Sequence, residues 1–131
     1  MIVDTSAIIA ILKDEPDALR FQTALAHCGN SITMSAATYL EAAIVVDRNA
    51  NGTLSQRFDD VLDTFAITIA PVTEPQAKLA RAAYRQFGKG TGHPAGLNFG
   101  DCFSYALAVE RSQPLLFKGA DFGQTDVLVA A

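Results

Sequence analysis

Four acidic side chains stand where they can do chemistry: Asp4, Glu41, Asp101 and Asp121. Asp4 ends the apolar run that opens the chain, Asp101 follows a glycine-rich stretch, and Asp121 lies three residues beyond the run Leu115 to Lys118. Glu41 is the one charged residue between Asn30 and Asp47. Hard divalent cations such as Mg²⁺ and Mn²⁺ take oxygen ligands and are held by a few carboxylates together with waters and substrate phosphate. Two such ions about 4 Å apart activate a water and stabilise the leaving oxygen of a phosphodiester. Singly, the acids have plainer readings. Asp4 and Asp101 suit helix starts, where a carboxylate accepts backbone N–H bonds, and Asp121 suits a turn. Glu41 is harder to place so, because a carboxylate among apolar neighbours needs a partner or solvent.

The elements that must position these acids are read from period and punctuation. Met1 to Asp4 predicts a short strand, and Ala7 to Leu12, capped by Thr5-Ser6, a helix. Pro16 suits the first turn of a second helix near 16–28. Ile32 to Met34 reads as a strand, Ser35 as the cap of a helix over Ala36 to Asn49, and Asn51-Gly52 as a turn. Leu54 to Phe65 has helical spacing, Ala66 to Ala70 alternates as a strand does, and Gln76 to Phe87 predicts another helix. The loop Gly88 to Gly100 carries five glycines and Pro94. Asp101 begins a helix that ends before Pro114, Leu115 to Lys118 is a fourth strand, and Val127 to Val129 a fifth. Short apolar strands alternating with helices predict a parallel sheet of about five strands covered on both faces, in one domain over residues 1–131. Sites in such sheets form beyond the carboxyl ends of the strands, which is where Asp4 and Asp121 fall.

With half its residues hydrophobic, the chain has the composition of a globular domain. No apolar run approaches the roughly 20 residues of a membrane span, and no secretion signal opens the sequence, so a cytoplasmic protein without a membrane partner is expected. Cys28 and Cys102 are far apart and outside any C-x-x-C, which suits free thiols. The net charge of −4 argues against a nucleic-acid partner, an objection that weakens if acids converge on metal. Charge is also unevenly placed. Lys78, Arg81, Arg85 and Lys89 recur at i, i+3, i+7 and i+11, one stripe of a helix continued through Gly88. Ala77, Ala80, Tyr84 and Phe87 form an apolar stripe that would pack on the sheet. The basic stripe is a solvated face or, with the adjoining loop, a guide for RNA phosphates toward Asp101. His93 in the loop and His27 at a helix end need no catalytic role.

The opening Met-Ile-Val-Asp-Thr-Ser-Ala, Tyr39-Leu40-Glu41, Asn98-Phe99-Gly100-Asp101-Cys102 and Leu115-Leu116-Phe117-Lys118-Gly119-Ala120-Asp121-Phe122, in this order, resemble PIN-domain ribonucleases. Within that superfamily they are most similar to the VapC toxins of bacterial toxin–antitoxin pairs. The resemblance runs nearly end to end. It implies a three-layer α/β/α sandwich and Mg²⁺- or Mn²⁺-dependent endoribonuclease action on RNA, with transfer, ribosomal and messenger RNA all open as substrates. It also implies that Asp4 and Asp101 are the primary metal-binding acids and that Glu41 and Asp121 complete the catalytic quartet and orient the water. Asp126 corresponds to a further acid near the family's site, and Thr5 or Ser6 to a hydroxyl that hydrogen-bonds within it. A cognate antitoxin that inserts a basic side chain into the acidic pocket, and a homodimer, are implied partners. The all-apolar helix Ala7 to Leu12 is core, or partly an interface.

Other chemistries fit less well. An aspartyl-phosphate phosphatase needs a second Asp two residues after the first, where Ser6 stands, and a receiver domain needs paired acids that the chain does not supply near Asp4. A metal-independent ribonuclease needs two proton-transfer groups, and His27 and His93 fall on dissimilar elements. A catalytically silent PIN-like module that binds RNA or protein is the alternative to an enzyme, against which the intact acidic set argues.

Overall fold

A computed structural model describes residues 1–50 and 52–131; the expected turn at Asn51 lies outside the described residues. The chain runs β1 (Ile2–Val3), α1 (Thr5–Leu12), α2 (Ala18–Ala26), β2 (Thr33–Ser35), α3 (Ala36–Asp47), α4 (Thr53–Thr64), β3 (Thr68–Ala70), α5 (Glu74–Phe87), α6 (Phe99–Arg111) and β4 (Leu115–Leu116), then a 3-10 turn at Phe122–Gln124. The strands make a parallel sheet in the order β3-β2-β1-β4. The first strand of the chain is therefore interior, gripped on one side by β2 and on the other by β4 through Ile2 N–H to Pro114 O and Asp4 N–H to Leu116 O.

Alternation along the strands builds two cores. Val3, Met34 and Leu116 face α1, α2, α3 and α4, with Phe21, Ile8 and Ile11 among the residues sealed there. Ile2, Ala70 and Leu115 face the opposite way, onto α5 and α6 with Leu107 and Phe87. Adjacent strand residues feeding opposite layers is the period of two that a doubly covered sheet requires, so the three-layer α/β/α sandwich is the observed architecture. Helix α1 is core: Ala7, Ile8, Ala10, Ile11 and Leu12 are all buried.

Several boundaries move, each for a local reason. The expected fifth strand reduces to a parallel bridge between Val129 and Leu115, with Leu115 N–H bonded to Leu128 O. Ala66 adopts a left-handed φ of 50° after α4, so β3 starts at Thr68 rather than at Ala66. The second helix starts at Ala18 instead of Pro16, and α6 starts two residues before Asp101 because Asn98 is its cap. On α5 the buried stripe is Gln76, Ala80, Ala83 and Phe87, while Ala77 and Tyr84 are exposed. That helix packs chiefly on α6, and its buried Ala80, Ala83 and Phe87 share the core layer of Ile2, Ala70 and Leu115, a stripe different from the one assumed.

Candidate active site

Asp4 leaves the carboxyl end of β1 and caps α1. Its Oδ2 accepts hydrogen bonds from Ser6 N–H at 3.0 Å and Ser6 Oγ at 2.7 Å. Its Oδ1 accepts a 2.6 Å bond from Ser104 Oγ on α6. The residue is 3% exposed, and three donors compensate the burial of its charge. Ser104 in turn lies 3.1 Å from Thr38 Oγ1 of α3. Ser6 Oγ accepts from the Lys118 N–H at 2.9 Å, so one hydroxyl joins the exit of β1 to the segment that follows β4.

Asp101 is the third residue of α6 and forms a reciprocal capping pair with Asn98. Asn98 Oδ1 accepts from Asp101 N–H and Asp101 Oδ2 accepts from Asn98 N–H, both at 2.9 Å. This leaves Oδ1 outside the capping pair. Burial, followed by the negative charges of Asp4, Asp121 and Glu41, pushes the Asp101 carboxyl up to about 6, against a lowering contribution from the Asn98 backbone bond. Glu41 reaches the same place from the middle of α3. Thr5 Oγ1 donates to its Oε1 at 2.7 Å, and its Oε2 lies where a Cβ on Gly100 would sit. Glycine at position 100 thus permits α3 and α6 to bring two carboxylates together.

The carboxylates open into a cleft of about 420 Å³ lined by Asp4, Thr5, Ser6, Glu41, Asn98, Asp101, Glu15 and Lys118 among others. Asp121 sits outside that lining, exposed at the head of the 3-10 turn, yet close enough for its charge to act on Asp101. Asp126 is elsewhere. Its Oδ1 accepts a 2.6 Å bond from the Tyr105 hydroxyl, whose pKa is driven upward by burial and by this partner. Its observed role is to tie the tail of the chain to α6.

Among the described residues, no three His, Cys, Asp or Glu side chains are gathered closely enough to form a ready-made metal cage. Mg²⁺ does not demand one, since it keeps several waters and is commonly held by one or two carboxylates plus phosphate. The donor set fits such an ion: hard oxygens, oriented by hydroxyl and amide donors, whose mutual repulsion at Asp101 a cation would relieve.

The basic stripe is only partly as expected. Lys78, Arg81 and Arg85 are exposed on α5, but Lys78 pairs with Glu74 at 3.5 Å. Gly88 turns extended at ψ 157°, so Lys89 has left the helix and no longer continues the stripe. His93 holds the loop: its Nδ1 accepts from Ala95 N–H at 3.0 Å and its ring meets Phe87 edge-on at 5.0 Å. His27 Nδ1 lies 2.9 Å from Thr23 O at the end of α2. Sequence reasoning missed Ser104, Asn98, Glu15 and Lys118 as members of the cleft or its support. For Asn98 the signal was present, as Asn three residues before an acid is a capping box. For Ser104 it was not, because nothing local links it to Asp4.

A PIN-domain family model matches residues 1–128 of the chain. Ribonuclease VapC28 of Mycobacterium tuberculosis is 57% identical over 127 residues, covering 97% of this chain and 95% of its own length. Ribonuclease VapC30 of the same species is 48% identical over 131 residues, covering 100% of this chain and 98% of its own. Among solved structures, the M. tuberculosis toxin VapC20, described as cleaving the sarcin–ricin loop, superposes with a TM-score of 0.74 at 15% identity over 97% of this chain and 95% of that one. A chain of a toxin–antitoxin complex from Klebsiella pneumoniae superposes at 0.73 with 19% identity, over 98% and 94% respectively. The structural likenesses bear on the fold.

Proposed function

Since the chain belongs to the PIN-domain family, and within it to the VapC-type toxins, we propose that it is an endoribonuclease whose acidic cleft hydrolyses RNA with the help of Mg²⁺ or Mn²⁺. One observation supports this most: Asp4, Glu41 and Asp101, from three distant parts of the chain, line one cleft at the carboxyl end of β1. Asp4 and Asp101 are the residues that would hold the cation. When bound, it would supply Lewis-acid activation of water and neutralise charge on the phosphate.

The chain's own groups do the rest. Ser6 and Ser104 fix the Asp4 carboxylate so that neither oxygen can rotate away from the cleft. Asn98 does the same for one oxygen of Asp101 and leaves the other for the site. Glu41, with Oε1 held by Thr5, orients the attacking water through its second oxygen. Asp121 adds charge at the rim. At neutral pH Asp101, with its pKa about 6, is largely ionised and ready for a cation.

The RNA path we propose runs from Arg81 and Arg85 on α5 toward Asp101, with Lys78 and Lys89 at its margins. The acidic cleft also suits the basic side chain of a cognate antitoxin, and the exposed Leu40, Ile44, Tyr84 and Phe99 supply apolar surface for that partner or for a second copy of the chain.

Cleavage of RNA by the purified chain with Mg²⁺ or Mn²⁺, beside EDTA and Asp101→Asn controls, tests the reading. Loss of cleavage in both controls is the expected result. Cleavage indifferent to both overturns the acidic site.

A further inference from the structure

A cleft walled by carboxylates repels the polyanion it must admit, unless some cation meets the phosphates at the entrance. Among the described residues lining this cleft, Lys118 is the one cation. We propose that Lys118 is a substrate-positioning residue whose ammonium takes a phosphate oxygen of the RNA at the mouth of the cleft, and that Glu15 holds it in place in the free protein. The proposal rests on the nuclease reading above.

The placement is specific. The Lys118 N–H bonds Ser6 Oγ, which itself bonds Asp4, so the Lys118 backbone is fixed one hydroxyl away from a proposed metal ligand. Gly119 follows with a φ of 99°, a left-handed turn that carries the chain away immediately after. The Nζ atom lies 2.6 Å from Glu15 Oε2, with side-chain exposures of 36% and 32% for the two residues. The pair is thus at the surface of the cleft and open to solvent. A solvated ion pair of this kind contributes little to stability, so exchanging Glu15 for a phosphate oxygen has little to overcome. Lysine suits the task, being a compact charge on a flexible stem that can follow the phosphate.

The test measures wild type, Lys118→Gln, Lys118→Arg and Glu15→Gln. KM and kcat are read with Mg²⁺, and the Kd for a short fluorescent single-stranded RNA with Ca²⁺ in its place. Lys118→Gln is expected to raise KM and Kd about tenfold with kcat nearly unchanged, and to reduce the log Kd against log salt slope by about one. Lys118→Arg retains most of the wild-type binding. Glu15→Gln, which frees the ammonium and removes a competing anion, tightens binding about two- to threefold. Equal weakening in Lys118→Gln and Glu15→Gln makes the pair a structural strut and overturns the proposal. So does Lys118→Gln binding like wild type while wild type cleaves. A wild-type chain that cleaves no RNA overturns the nuclease reading itself, before any variant is compared.

Discussion

Ser104 Oγ donates a 2.6 Å hydrogen bond to Asp4 Oδ1 across a sequence separation of 100 residues, and both side chains are buried. It links the last helix to the first strand at the acidic cleft, and it gives α6 control over the orientation of a carboxylate it does not carry. Removing the hydroxyl leaves Oδ1 without that donor while Ser6 keeps Oδ2. Ser104→Ala is expected to lower stability by about 1–2 kcal/mol, the cost of a lost partner for a buried charged group. Metal affinity should fall on the order of 10-fold or more, as for other residues that orient ligands. Urea unfolding and Mn²⁺ titration measure the two effects separately. Unchanged affinity would falsify the positioning role.

Asp101→Asn should abolish cleavage and yet stabilise the metal-free protein. The folded-state pKa of Asp101 is raised from 3.8 to about 6, so the native state binds the proton more tightly than the unfolded chain does. That stabilising contribution is fully present below pH 3.8 and is lost as pH rises through about 6. At pH 7.5 the wild type lacks it, whereas the amide never ionises. After allowance for solvent screening the gain is on the order of 1 kcal/mol, or roughly 4 °C in Tm. Differential scanning calorimetry in EDTA reads it directly, and a drop in Tm contradicts the account.

The same titration predicts how cation demand changes with pH. Below pH 6 a proton competes for Asp101, so the Mn²⁺ concentration giving half-maximal cleavage should climb about tenfold per pH unit there and level off above pH 7. A flat dependence from pH 5 to 7 would show that Asp101 is not a ligand.

Gly100→Ala probes the contact between α3 and α6. The new Cβ would overlap Glu41 Oε2 and approach its Cδ to 2.8 Å, so the carboxylate must swing away from Thr5. Cleavage is expected to fall at least tenfold while stability changes by less than about 1 kcal/mol, because alanine favours the helix as much as the displacement disfavours it. A crystal structure of the variant with Glu41 unmoved contradicts this.

Charge reversal of Arg81 and Arg85 together should weaken RNA binding and flatten its salt dependence by roughly two in slope, with the metal affinity of the cleft unchanged. Binding equal to that of wild type makes this helix face merely solvated.

Much of the fold was legible because short apolar strands and amphipathic helices carry their periods openly. The alternation that sends Val3 into one layer and Ile2 into the other is local information. Boundaries were less so. Ala66 turned left-handed and delayed β3, and Val129 made a single bridge where a strand was expected. Three of the four acids line the cleft: the strand-end rule pointed to Asp4, isolation among apolar residues to Glu41, and the helix start after the glycine-rich loop to Asp101, while Asp121, chosen by the same strand-end rule, stands just outside. What stayed hidden was long-range: Ser104 on Asp4, Lys118 against Glu15, Tyr105 on Asp126. Such pairs depend on how layers stack, which no window of sequence reports. Lys89 failed for the opposite reason, since a stripe drawn across Gly88 assumed a helix that the backbone ends there.

The position of β1 between β2 and β4 sets the order in which the cleft can be assembled. Strand β1 acquires its second neighbour only after residues 115 and 116 have been made. Ser6 likewise waits for Lys118, and Asp4 for Ser104. A nascent chain that stops short of Lys118 therefore lacks a bond that fixes the Ser6 hydroxyl and the second neighbour of β1, so the acids of the cleft are fully held only once β4 and the segment after it are in place.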